Sequence, residues 1–409
     1  MISFRYSLAG TLALLVATPG ATVSQEPVAC RISADRADTL RLADGGLVYA
    51  NAAGMLAREG QTVIAGNPVF PWPLADTAIQ DSLLGLAVGR NGEASLIRAP
   101  HAGKRAMHPR LLVGREGMDV LFAEHGEGVP VHSTALVTGS LWAGTYAGGW
   151  SNLRRLAVLS AGRLAPHESS RWFRRDDQTA FYFGFDRTAG DPVLTRAGMV
   201  RLWELGAERH ADTLFLPHEF FGLSADTASG YDVIAFLQPD TNAYGRPANS
   251  RVWVTEWSNG FRPPRQLTFA GPPPTRISVR VMSWDAAMFG WQTLDGNTFV
   301  LRARRGPDGY TTLGIDTLGR ASGYFVHATR SGSVLLFRAE PTQRRLHVHR
   351  VTRSRTEYLG HVPSGDAILI PAILALSDRE FVHLAHSFAT DGGNALVVSQ
   401  VTHVHVLCA

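Results

Sequence analysis

The feature that most constrains this chain is its punctuation. Apolar residues arrive in runs of four to eight, rich in Val, Leu, Phe and Thr, and every 8 to 12 residues Gly, Asp-Gly, Ser-Gly or Pro ends the run. That is the rhythm of short strands joined by tight turns. Leu111 to Val113, Asp119 to Ala123, Val252 to Glu256, Thr298 to Ala303, Val334 to Arg338 and Ala395 to Val401 are examples. Helix is suggested only over Asp76 to Leu86 and Ser169 to Gln178, and neither stretch carries caps at both ends. With 45% hydrophobic and 18% charged residues the chain has enough apolar material for a core, which excludes disorder. Past the N-terminus no apolar run reaches the roughly 18 residues of a membrane span. The expected class is all-β.

The formal charge of +4 does not point to nucleic acid. The basic residues are 38 arginines and a single lysine, Lys104, spread along the chain. The densest groups are Arg171, Arg174, Arg175 and Arg302, Arg304, Arg305, without the clustered basic face and interleaved aromatics that nucleic-acid binding requires.

Residues 1–24 read as a secretory signal: Arg5 in a polar start, an apolar core from Leu8 to Ala17, and small residues from Thr18 to Ser24. The expectation is an exported protein, secreted or periplasmic, whose residues 25–409 form one domain, with no stable membrane insertion after cleavage. Export permits disulfides, and the two cysteines, Cys30 and Cys408, stand near the two ends of the mature chain, where a bridge would tie the termini together. A lipid anchor on Cys30 is the rival reading, weakened because Pro27-Val28-Ala29 lacks a leucine before the cysteine.

A long chain of short strands implies a sandwich array, a solenoid or a propeller, so internal repeats decide. Arg115 to Phe122 aligns without gaps on Arg330 to Phe337, sharing the Arg, the turn glycine (Gly117, Gly332), the Leu and the Phe. A turn glycine followed by an aromatic recurs at Gly149-Trp150, Gly260-Phe261 and Gly309-Tyr310. Cutting at turns gives segments 38–105, 108–163, 169–225, 229–269, 275–318, 321–363 and 366–409, the last four being 41 to 44 residues long. A four-stranded propeller blade takes about 40 to 50 residues. A β-propeller of four-stranded blades follows, seven by this cut and six by the resemblance given next, hence six or seven, its first and last blades meeting where Cys30 and Cys408 would form the N-to-C-terminal disulfide.

Two stretches then resemble sialidase-like propellers with degenerate Asp-box turns. They are His108-Pro109-Arg110-Leu111-Leu112 leading to Leu121-Phe122-Ala123-Glu124, and Tyr231 to Phe236 leading to Val252-Trp253-Val254-Thr255-Glu256-Trp257-Ser258-Asn259-Gly260. The resemblance implies the propeller fold. It would also imply three arginines for a carboxylate, a glutamate-activated tyrosine and an acidic aspartate. No Arg-Ile-Pro announces the first arginine, the nearest being Arg31-Ile32-Ser33 and Arg276-Ile277-Ser278, so no catalytic residue carries over.

Chemistry has few other footholds. Asp176 and Asp177 follow Arg174 and Arg175, with Trp172 and Phe173 before them, the densest mixture of charge and aromatic surface; Glu219 in His218-Glu219-Phe220-Phe221 is a second carboxylate. A paired-carboxylate glycoside hydrolase could draw on these, though a solvated turn and a strand-edge polar residue explain them as well. Trp142, Tyr146 and Trp150 in one Gly-rich hairpin, with Trp172, offer aromatic faces to a glycan. The polar insertion Pro239 to Arg246 adds Asp240, Asn242, Tyr244 and Arg246. Aromatics in propellers also pack between blades. His347-Val348-His349 and His403-Val404-His405 each place two imidazoles on one strand face, a pattern that suits a metal and equally suits half-buried strands. No cofactor is expected. The sequence favours a binding role toward a glycan or an extracytoplasmic protein, with a diverged sialidase-like hydrolase as the alternative.

Overall fold

The structure, a computed structural model, describes residues 30–43, 49–58, 61–69, 83–89, 92–101, 105–113, 118–125, 139–159, 170–175, 178–185, 197–205, 208–216, 220–228, 230–239, 250–269, 271–340, 342–364, 372–391 and 394–408. The expected signal segment, residues 1–24, lies outside them.

Five sheets are four-stranded antiparallel meanders, the regular blades of a β-propeller. The first blade holds Arg105–Val113, Met118–His125, Gly139–Tyr146 and Trp150–Leu159; the second Ser170–Arg175, Gln178–Phe185, Ala197–Leu205 and Glu208–Leu216. The third holds Phe221–Ala228, Tyr231–Pro239, Ser250–Trp257 and the two-residue Arg265–Gln266. The fourth is built from Arg276–Ser283, Ala286–Gln292, Asn297–Gly306 and Gly309–Arg320, the fifth from Gly323–Ala328, Val334–Glu340, Arg345–Val351 and Thr356–Pro363. Two further sheets, at the ends of the chain, have five strands each. An N-terminal sheet spans residues 41–98. A closing sheet joins Ala372–Ala375, Glu380–Asp391 and Asn394–Cys408 to the strands Cys30–Ala34 and Asp38–Thr39.

Six or seven uniform four-stranded blades are therefore corrected to five, with two sheets of a different build. The first strand of each blade touches the first strand of the next, and Ala372–Ala375 and Tyr49–Arg58 extend that circuit back to the first blade. Residues 366–409 were expected to form a unit alone, but the chain's own beginning supplies their outer strand. Its register sets Cys30 opposite Cys408 and Ala34 opposite Val404. The two helical expectations are also corrected over their described residues, with 76–82, 169 and 176–177 lying outside those. Leu83–Val88 and Ser170–Arg175 are strands, and no helix occurs among the described residues. No helix among them is long and apolar enough to cross a membrane.

Burial explains which runs lost the alternation of a half-buried strand. In the third, fourth and fifth blades the second strands are covered on both faces by neighbouring sheets: residues 231–238, every residue of Ala286–Gln292 and residues 334–339 are buried. The outer strand Gly309–Arg320 has no fully buried residue. The core is accordingly divided into clusters between sheets. One joins the third and fourth blades through Val233, Leu237, Val279, Phe289, Trp291 and Leu301. Another joins the fifth blade to the closing sheet through Phe337, Val348, Phe381 and Val404.

The hairpin repeat read from the sequence corresponds to second strands, Met118–His125 and Val334–Glu340. Gly332 shows why its turn needs glycine: φ is +78°, and an added Cβ would lie 2.8 Å from the Met282 carbonyl oxygen of the preceding blade. We predict that Gly332→Ala lowers unfolding stability by at least about 1–2 kcal/mol, measured by denaturant titration. An unchanged midpoint would contradict the close approach of these two blades.

Candidate functional site

The third and fourth blades enclose a cavity of 260 Å³ whose lining includes Glu256, Arg262, Arg265, Leu267, Asp308 and Tyr310. Local turns build it. Strand Ser250–Trp257 ends at Glu256 and Trp257, and the turn Ser258-Asn259-Gly260 folds the chain back so that the Arg262 amide donates to the Glu256 carbonyl at 2.8 Å. The Thr255 hydroxyl, donating to the Arg262 carbonyl at 2.6 Å, fixes the same return. From the fourth blade, the turn through Asp308 and Gly309 delivers Tyr310 at the start of the outer strand. Two of the three turn-glycine and aromatic motifs of the sequence, Gly260-Phe261 and Gly309-Tyr310, thus frame this cavity.

The Glu256 carboxylate is the centre of its electrostatics. Arg305 donates from Nε at 2.6 Å and from Nη2 at 2.7 Å, a fork-to-fork pair across the seam between blades. Arg262 Nη1 lies 3.0 Å from the same carboxylate, and the Tyr310 hydroxyl donates to it at 3.1 Å. The Arg305 guanidinium sits 3.8 Å from the centre of the Tyr231 ring, a cation–π contact. Hydrogen bonding to Glu256 pushes the Arg305 pKa upward, so this cation is permanent. Burial, then the Glu256 charge, pushes the Tyr310 phenol above its ordinary range. The phenol is therefore a donor at every working pH. At the mouth, Arg265 Nη1 lies 3.5 Å from the exposed Asp308 carboxylate.

A second charged cluster occupies the next seam. Asp285 accepts from Ser283 at 2.9 Å and from Arg353 of the fifth blade at 2.8 and 3.3 Å, and these partners hold its carboxyl below the usual range. Beside it Trp284 is 73% exposed, with its carbonyl accepting from the Tyr231 hydroxyl at 2.8 Å. Tyr231 thus ties the backbone of this exposed tryptophan to the Arg305 site.

The sequence-derived candidates separate. Asp176, Asp177, Glu219, Asp240, Asn242, Tyr244 and Arg246 lie outside the described residues. Trp172, Arg174 and Arg175 stand on Ser170–Arg175, opposite Phe181, Thr179 and Gln178. Trp142, Tyr146 and Trp150 are half-buried against the cluster joining the N-terminal sheet to the first blade. There Trp150 packs edge-on to Tyr146 at 5.4 Å and donates to the Arg98 carbonyl at 2.8 Å.

The histidines separate too. His403 faces Glu380 and His405 faces Asp35, each at 3.3 Å, whereas His347 and His349 lie on the fifth blade. Among the described residues no three His, Cys, Asp or Glu side chains are placed to share a metal ion. Sequence reasoning quoted Glu256 and Tyr310 only as parts of turn motifs and Arg305 only as part of an arginine run; the signal available was their common neighbourhood to turn glycines.

No family model matches the chain, and no curated protein matches it. Among solved structures it is similar to Trypanosoma rangeli sialidase in complex with sialic acid, at TM-score 0.44 and 10% identity, covering 86% of this chain and 59% of that one. It is similar to a protein of unknown function from Dyadobacter fermentans at TM-score 0.46 and 10% identity, covering 91% and 99%. It is also similar to an ulvan lyase, a polysaccharide lyase, at TM-score 0.44 and 10% identity, covering 76% and 78%. The chain thus spans under two thirds of that sialidase's length.

Two buried imidazoles give a pH prediction. Burial and the Arg338 charge lower the His349 pKa from 6.5 to about 4, and burial with neighbouring His386 lowers that of His383 to about 4. Both are neutral in the folded protein near neutral pH. Between pH 6.5 and 4 the unfolded chain binds more protons than the folded one, so stability is full above 6.5 and is lost as pH falls toward 4. Thermal unfolding followed from pH 7 to 4 should show this decline, and His383→Leu should flatten it. An identical profile in the variant would contradict the assignment.

Proposed function

We propose that this protein is an exported glycan-binding propeller, and that the cavity between the third and fourth blades is its ligand site. The observation that carries the reading is the Glu256 cluster. Arg305 and Tyr310 hold the carboxylate rigidly, while Arg262, with half its side chain exposed, and Arg265 turn donors toward the opening. A rigid set of donors and acceptors beside apolar Leu267 and Pro263 suits a sugar, which presents hydroxyls on its edges and C–H groups on its faces. Trp284, exposed on the neighbouring turn and tied to the site through Tyr231, adds an aromatic platform. The cavity is slightly smaller than the roughly 300–1,000 Å³ of ordinary small-molecule sites, which favours a sugar unit over a folded partner.

Titration of the mature protein with soluble glycans, sialylated and neutral, tests the reading by calorimetry. At least one glycan class should bind, and Arg262→Ala should weaken it tenfold or more while leaving the melting temperature unchanged. Absence of binding across the panel, or binding indifferent to Arg262, would overturn it.

One observation favours hydrolysis as a second reading. The Tyr310 hydroxyl lies 3.1 Å from Glu256, the pairing that a tyrosine nucleophile requires, with three arginines nearby. Against it, Glu256 is already engaged by Arg305 and Arg262, and the phenol is pushed away from ionisation. Release of sugar that disappears in Tyr310→Phe would select hydrolysis.

The finer architecture belongs to the same proposal. The two five-stranded sheets complete the ring as its remaining blades, and Cys30 and Cys408 bridge its ends. Their facing register supports the bridge, since opposed residues of antiparallel strands stand at separations of about 4.5–5.5 Å, within disulfide reach. Alkylation of the unreduced mature protein should find no free thiol; two labelled cysteines would exclude the bridge.

A further inference from the structure

The outer strands of the fifth blade carry a side-chain cluster that the glycan site does not use. His347 pairs across the sheet with His361, and His349 pairs with Tyr358. Tyr358 and His361 are three apart, so an unbroken strand would turn them to opposite faces. A bulge between Val348 and His349 inserts Leu359 as an extra residue and rephases the strand, and Gly360 at φ +140° accommodates it. The two pairs consequently stand together. The Tyr358 hydroxyl lies 3.2 Å from His347 Nδ1 and 3.0 Å from His361 Nδ1.

We propose that His347 Nδ1, the Tyr358 oxygen and His361 Nδ1 form a surface site for a divalent transition-metal ion of the zinc–copper class. Three features carry this. Metal–ligand bonds of about 2.0–2.1 Å imply ligand-to-ligand edges of about 2.8–3.4 Å, from square-planar to tetrahedral, and both measured separations fall in that range. Glu340 Oε2 approaches the far nitrogen of His347, Nε2, at 2.9 Å, an ion-pair contact short of good hydrogen-bond alignment. It places a carboxylate behind a ligating imidazole, the usual outer-shell support. The buried His349, whose ring centre lies 5.2 Å from that of Tyr358, has an Nε2 that finds no hydrogen-bond partner among the described residues. Two imidazoles and a phenol match neither calcium nor magnesium, which take oxygen shells. The open coordination positions face solvent, because Tyr358 and His361 are exposed. Binding displaces the phenolic proton to solvent and leaves the oxidation state of the metal unchanged.

The test is equilibrium dialysis of the full mature chain, freed of metal by chelator and carrying no affinity tag, against Zn²⁺ alone and Cu²⁺ alone. One equivalent should bind. His361→Ala and Tyr358→Phe, both at exposed positions, should each weaken binding tenfold or more, while His403→Ala does not. With Cu²⁺, a visible phenolate-to-copper absorption band should appear and vanish in Tyr358→Phe. Absence of a stoichiometric site for either ion, or a site that survives both substitutions, would overturn the proposal.

Discussion

Charge pairing across the seams between sheets is the interaction on which this structure depends. Hydrophobic packing holds neighbouring sheets together but is non-directional, so it does not by itself fix how one blade is set against the next. Directional pairs do. Between the second and third blades Arg201 donates to Asp232 at 3.0 Å, both side chains are fully buried, and the guanidinium lies 3.5 Å from the Trp257 ring centre. The next seam has Glu256 and Arg305, the next Asp285 and Arg353. After them a hydrogen bond rather than a charge pair joins His327 Nε2 to Asp378 of the closing sheet at 3.1 Å. Breaking one partner of a pair as buried as Arg201–Asp232 costs about 3–5 kcal/mol, so that seam strongly selects one geometry, while the pair of Asp285 and the half-exposed Arg353 adds direction at a smaller gain. The candidate glycan site is one of these seams left open to solvent.

The inner edges of the blades pose a separate problem, since a first strand has no ladder partner on its channel side. Side chains of the preceding blade supply acceptors. Ser224 accepts from the Val279 amide at 3.0 Å and Asp226 from the Val281 amide at 2.7 Å, a two-residue period answered by a two-residue period. Arg280 serves the next edge in turn by donating to the Val326 carbonyl of the fifth blade at 3.2 Å. Burial pushes the Asp226 pKa upward against the opposing effect of Arg280, the cost of placing a carboxylate at this edge.

What was legible in the sequence is what local chemistry dictates. The turn glycines marked real hairpins, and the doubly covered strand Val334–Glu340 showed as the run Val334 to Arg338. Ser169 to Gln178 misled because Trp172, Phe173 and the arginines mimic an amphipathic turn, whereas pairing with Gln178–Phe185 decides the matter. The docking of Cys30–Ala34 onto the last strand left no local trace except the two cysteines, because its partner lies at the other end of the chain. The sites were hidden for the same reason. Arg305 and Tyr310 reach Glu256 from 49 and 54 residues away, through a blade-to-blade contact that no period reveals. Tyr358 and His361 were masked differently: strand periodicity sets them apart, and only the bulge reunites them.

A double-mutant cycle on Glu256→Gln and Arg305→Met tests most directly whether a seam ion pair locks adjacent blades. The account predicts a coupling of about 2 kcal/mol between the two positions in denaturant unfolding, the share of each substitution's effect carried by their common two-bond pair. Additivity of the two substitutions to within about 0.5 kcal/mol would contradict it and leave the blades held by apolar packing alone.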